Sequence, residues 1–152
     1  MKPRIVHMIP VAVAWALLAV IATGCASTTL RYRDGNRALT RENVVEIARE
    51  TDLGEVGKAS ASEAQDLRTQ ALTELRSHGQ DAQRLADALT AQLPSDYAGV
   101  PVYVEAANVE GRACWIVVEA RPASDSESRL SSRRYWVFDR DDFAVVESGT
   151  LP

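Results

Sequence analysis

Histidine, lysine and cysteine are nearly missing from this sequence. Two of each occur in 152 residues, and 15 of the 17 basic residues are arginine. Beyond residue 25 only His78 and Cys114 remain as imidazole or thiol ligands, too few for a Cys/His zinc set. A Ser-His-Asp triad would have to use His78, and no nucleophile elbow accompanies it. There is no glycine-rich phosphate loop, no internal repeat and no heptad run. Acidic residues outnumber basic ones, 21 to 17, so the chain lacks the electrostatic footprint of a nucleic-acid binder or of a polybasic grip on anionic lipid. The preference for arginine over lysine, with abundant alanine, reads as coding bias.

What is present begins at the N-terminus. Lys2 and Arg4 precede a largely apolar stretch that is densest over Val11–Ala22. Those 12 residues fall short of the roughly 20 needed to span a bilayer and suit the apolar core of a secretory signal. The stretch ends Ile21-Ala22-Thr23-Gly24-Cys25, which resembles the lipobox of bacterial lipoprotein precursors. The resemblance implies cleavage after Gly24 and a diacylglyceryl thioether, with an N-acyl chain, on Cys25. A thiol is the best nucleophile a side chain offers for such a bond, and two acyl chains anchor stably where one does not. Ala26 follows the cysteine instead of the Asp that favours inner-membrane retention. The expected address is therefore the outer membrane of a cell with two membranes, or the outer face of the plasma membrane of a cell with one. Removing residues 1–24 takes the formal charge from −4 to −6.

The expected organisation is a signal peptide (1–24), a lipidated polar tether (25–40) and one α+β domain (41–150). Within the tether, Leu30 and Tyr32 alternate with Arg31 and Arg33, which also fits a short strand. Thr40 can cap a helix reaching Glu50. Ser60 with Glu63 three residues on is a capping-box pattern, and Ala64, Leu67, Ala71, Leu72 and Leu75 form a helical stripe that stops near Gly79. A further helix spans about 81–93, ended by Pro94. Strands are predicted over 100–108, 112–121, 133–139 and 143–148, joined by short turns. Helices before strands predict about three helices on one face of an antiparallel meander of about four strands.

On that arrangement Cys114, Ile116 and Val118 face the helices. Tyr103 and Trp115, joined by Tyr135 or Trp136, lie on the opposite face as a possible binding surface. Glu105 and Glu119, on neighbouring strands, could form a carboxylate pair like that of an envelope-polymer hydrolase. Glu residues on a solvated strand face are the commoner case. His78 is expected at a helix C-terminus and Cys114 as a buried apolar residue. The Asp139, Asp141, Asp142 cluster reads as a solvated turn. No catalytic set, metal site or cofactor beyond the covalent lipid is expected. The function expected is a non-catalytic binding or accessory subunit of an envelope protein complex. The alternative is a binder of a small apolar or amphipathic ligand between helices and sheet.

Overall fold

A computed structural model of the chain describes residues 30–94 and 96–152. The expectations for the signal peptide, Gly24 and Cys25 lie outside the described residues. Among them the order is β1 (Arg31–Leu39), α1 (Arg41–Glu50), two single 3₁₀ turns, α2 (Ala64–Arg76), α3 (Gln80–Gln92), β2 (Val100–Val109), β3 (Arg112–Arg121), β4 (Ser132–Asp139) and β5 (Val145–Leu151).

The helix boundaries follow from their caps. Thr40 Oγ1 accepts the Asn43 amide at 3.3 Å while Asn43 Oδ1 accepts the Thr40 amide at 3.1 Å, satisfying two of the free amides that open α1. Glu63 returns a carboxylate oxygen to the Ser60 amide at 2.9 Å ahead of α2. Gly79 links α2 to α3 with φ +103°, a conformation that disfavours any side chain.

The sheet corrects the expected four-stranded antiparallel meander. Five strands lie in the order β1-β2-β3-β4-β5; β1 pairs parallel to β2, and the remaining neighbours are antiparallel. Residues 31–39 are thus an edge strand, and the helices sit between β1 and β2 in the chain. A parallel neighbour needs a crossover connection, which the helical segment supplies. β1 reads as polar because it is a bulged edge: Asp34 and Arg37 pair with the adjacent Ala106 and Ala107. Gly35 and Asn36 are extruded between them, with Asn36 at φ 44°.

The expectation that helices cover one face is also overturned, because both faces are covered. Val44 and Ala48 of α1, with Leu53 and Val56, pack on Cys114, Ile116, Val118, Tyr135 and Val137. On the other face Leu72 and Leu75 of α2 and Leu85, Ala86 and Leu89 of α3 pack on Val104, Ala106, Trp115, Val117, Trp136 and Phe138. Helix α2 also contributes Ala64 and Ala71 to the first layer. It packs against β2, near whose start the Arg68 side chain donates to the Gly99 carbonyl at 2.8 Å; β1 joins that strand only from Tyr103. The 122–131 loop is pinned to the segment just ahead of α2 by Ala61 N to Ser128 O at 2.7 Å and Leu130 N to Ala59 O at 3.1 Å.

Leu85 is fully buried in the second layer. Leu85→Ala should cost about 3 kcal/mol in a urea unfolding experiment, from lost transfer energy plus the cavity left behind. Val146→Ala, at an exposed position, should change stability by less than about 0.5 kcal/mol.

Candidate functional site

The four aromatic residues expected to form one surface are divided between the two layers. Tyr103 and Tyr135 belong to the α1 side; Trp115 and Trp136 belong to the α2–α3 side. Trp115 is 1 % exposed and Trp136 9 %, so neither presents a docking face. Trp115 lies beneath Tyr32, 6.3 Å between ring centroids, and under the Arg140 guanidinium at 5.1 Å. Trp136 stacks on Phe138 at 5.9 Å.

The two carboxylates expected on a solvated face are both fully buried. The antiparallel register sets Glu105 opposite Ile116, which places it in the α1 layer. Glu119 accepts in the other layer, where the Trp136 indole Nε1 donates to it at 2.8 Å. The sheet separates the two groups, so they cannot act together across one glycosidic bond as paired carboxylates do.

Each has instead an arginine and a tyrosine of its own. Arg37 grips Glu105 bidentately, Nε to Oε1 at 2.6 Å and Nη2 to Oε2 at 2.9 Å, and the Tyr103 hydroxyl donates to Oε2 at 2.6 Å. The extruded Gly35-Asn36 pair of β1 sets the position from which Arg37 reaches inward. Burial opposes ionisation of Glu105, but the hydrogen bonds from Arg37 and Tyr103, with the nearby charges of Arg37 and Arg33, outweigh it. The carboxyl is held below its ordinary range. Glu119 receives Arg68 Nη1 at 3.2 Å, the Tyr97 hydroxyl at 2.7 Å and the Trp136 indole. Arg68 also donates to the carbonyls of Gly99 and Leu89, so a guanidinium with 10 % of its side chain exposed is almost wholly satisfied by the protein. Burial and the adjacent Glu119 push the Tyr97 hydroxyl up, keeping it a proton donor at any physiological pH.

Chemically these are closed arrangements. A general acid or base needs an open lone pair or proton within reach of a substrate, whereas these carboxylates are spent on fixed donors inside the fold. A cleft of about 440 Å³ does open beside Tyr97, Gly99, Arg121, Pro122 and Asp125. It lies at the end of the sheet and not between helices and sheet, where a small apolar ligand was expected.

Arg37, Arg68 and Tyr97 were not singled out from the sequence. The usable signal is the pair of strands Val-Tyr-Val-Glu-Ala and Ile-Val-Val-Glu-Ala. A single carboxylate inside a run that is apolar at every other position must be buried, and a buried carboxylate requires a cation.

His78 lies in the turn just past α2, its amide bonded to the Leu75 carbonyl at 3.1 Å, and its ring stacks on Tyr32 at 4.2 Å with planes 11° apart. Cys114 is free and buried, and burial raises its thiol pKa. No helix among the described residues is long and apolar enough to cross a membrane. Comparison with known protein families, curated proteins and solved structures gives no match to this chain.

Two outcomes test the carboxylate clusters. Glu119→Ala leaves Arg68 buried without its counter-charge and should cost about 3–5 kcal/mol; Arg68→Met combined with Glu119→Leu should recover most of that loss. Urea midpoints of the two variants and the unaltered protein decide it, and a single-variant cost under about 1 kcal/mol would show that Glu119 holds nothing. The second outcome concerns acid. Because the folded pKa of Glu105 is lowered, its contribution is fully present above the unfolded carboxyl pKa and is lost as pH falls below that value through the folded pKa. Stability measured from pH 6 downward should therefore fall below about pH 4.5, and Glu105→Gln should flatten part of that slope.

Proposed function

We propose that this chain is a lipid-anchored extracytoplasmic binding subunit, held to a membrane through diacylglycerol on Cys25 and serving a protein complex of the envelope without catalysis. The observation that carries this reading is the run Ile21-Ala22-Thr23-Gly24-Cys25 behind a short basic start and a 12-residue apolar core. Small residues before a lone cysteine meet the chemical needs of thioether formation and cleavage together. The folded domain lends support in kind. Its polar interior is consumed by Arg–Glu clusters that fix the layers, which is the economy of a rigid scaffold and leaves contact with other molecules to the surface. The anchor keeps that surface beside whatever else the membrane holds, raising its effective concentration for neighbouring proteins.

Intact-mass measurement of the protein purified from membranes of its own host should show residues 1–24 removed and acyl chains added. Cys25→Ser should abolish both changes. An unlipidated chain with its N-terminus intact would remove the basis of the anchoring. For the partner, crosslinked and solubilised membranes should give one defined species heavier than the chain. Recovery of the chain alone under those conditions would overturn the accessory role while leaving the anchor standing.

A further inference from the structure

We propose that the free edge of β5 takes up an extended segment of another envelope protein, whose apolar side chains meet Val145 and Val146 and whose carboxylate pairs with Arg134. The inference rests on the binding-subunit reading and names the surface that would serve it.

The two edges of the sheet differ. β1 carries Arg31, Arg33, Asp34 and Arg37 and is broken by the Gly35-Asn36 bulge, the devices by which natural edges resist strand addition. Its first residue also follows Cys25 by few positions. Even fully extended, the chain from Cys25 to Leu30 reaches only about 17 Å, so a lipid on Cys25 keeps this edge beside the bilayer. β5 is the opposite edge. Its single charged residue, Glu147, accepts from the Tyr135 hydroxyl at 3.0 Å and lies 3.7 Å from Arg41. A ladder irregularity at Val137–Phe138 confines the regular register to Glu147–Leu151 and leaves Val145 and Val146 as the exposed large apolar residues of the described surface. They stand at the end of the sheet away from Leu30, since β5 runs antiparallel to β4 and finishes at the end where β1 begins.

The charge comes from Arg134. No carboxylate among the described residues lies within ion-pair distance of it. Its guanidinium stacks 4.0 Å over the Trp136 ring, and its Nε is buried with no hydrogen-bond partner. A buried guanidinium N–H without an acceptor is uncommon and calls for a reason. Arg134 stands opposite Thr150, and Trp136 opposite Ser148, so on this face β5 offers only short side chains between Arg134 and the free edge. A strand added there would lie about 5 Å beyond β5 and about 10 Å from β4, a gap that an arginine and a glutamate bridge over Ser148 and Thr150. The backbone groups of β5 would supply the rest of the recognition, as in other cases of strand addition.

The test uses the full chain in its own host, with a benzophenone amino acid placed at Ser148 or Thr150 on β5, and at Asp34 on β1 for comparison. The expected result is a covalent adduct from the two β5 positions, mapped to one extended segment of a different protein that contains Asp or Glu. The Asp34 position should give no such adduct. Arg134→Glu should lower the yield at least about five-fold, the factor that corresponds to about 1 kcal/mol, and replacing the mapped acid by Arg should restore it. Circular dichroism checks that the variant is folded. If it is not, Arg134→Gln takes its place and should lower the yield less while removing its salt dependence. An adduct with a second copy of this chain, an adduct centred on Asp34, or yields indifferent to Arg134 would each overturn the proposal. If the complex is still recovered from membranes in those cases, the binding-subunit reading survives; if no partner is recovered by any route, both fall.

Discussion

A carboxylate placed in a packed apolar layer destabilises the layer unless donors and a counter-charge surround it. Glu119 is placed that way, and much of the architecture can be traced to how it is satisfied. The requirement for Arg68 fixes α2 against the start of β2, where Arg68 also binds the Gly99 carbonyl, and fixes α3, whose Leu89 carbonyl accepts from the same guanidinium. The requirement for further donors brings in Tyr97 from the segment after α3 and Trp136 from β4. One buried charge thus ties together two helices, two strands and a connection. Gly99 fits the same constraint: a side chain there would lie within 2.9 Å of the Glu119 carboxylate and closer still to the Tyr97 ring.

The other layer repeats the device with a different source for the cation. Arg37 comes from β1, and it is half-exposed where Arg68 is nearly sealed. The Glu105 cluster therefore holds an edge strand to the sheet and the Glu119 cluster holds the centre of the fold. The difference in exposure makes the first more open to solvent and salt, because screening acts on charges that water can reach.

Helices α1 to α3 and strands β2 to β4 were legible because their apolar residues recur at 3.6 or alternate cleanly between turn residues. β1 was legible only at its start, where Leu30 and Tyr32 alternate with Arg31 and Arg33; from Asp34 through the bulge its polar residues carry neither period. The faces were misassigned for a related reason. Alternation suggested one wet side, and Tyr103 and Trp115 were placed there together. But β2 and β3 are apolar at nearly every position, the mark of strands covered twice, and the unbroken hairpin register from Val109 opposite Arg112 to Tyr103 opposite Val118 sets Tyr103 on the same face as Ile116. The two glutamates gave the clearest warning. A charged residue in such a run cannot face water, and its partner must come from an element that sequence spacing alone does not locate.

Double coverage also limits where this domain can meet another molecule. The helices leave neither face of the sheet bare, so what remains unsatisfied is the hydrogen-bonding capacity of the two outer strands and the rims that join them. β1 is charged and broken, and its beginning is the point at which any lipid on Cys25 holds the domain. β5 is regular over its second half, nearly uncharged, and lies four strands away, about 19 Å at ordinary strand spacing. A sheet that a lipid on Cys25 would tether along one edge would offer the other to its surroundings, and Arg134, stacked on Trp136 and opposite Glu119, adds a positive charge near that edge that forms no ion pair among the described residues.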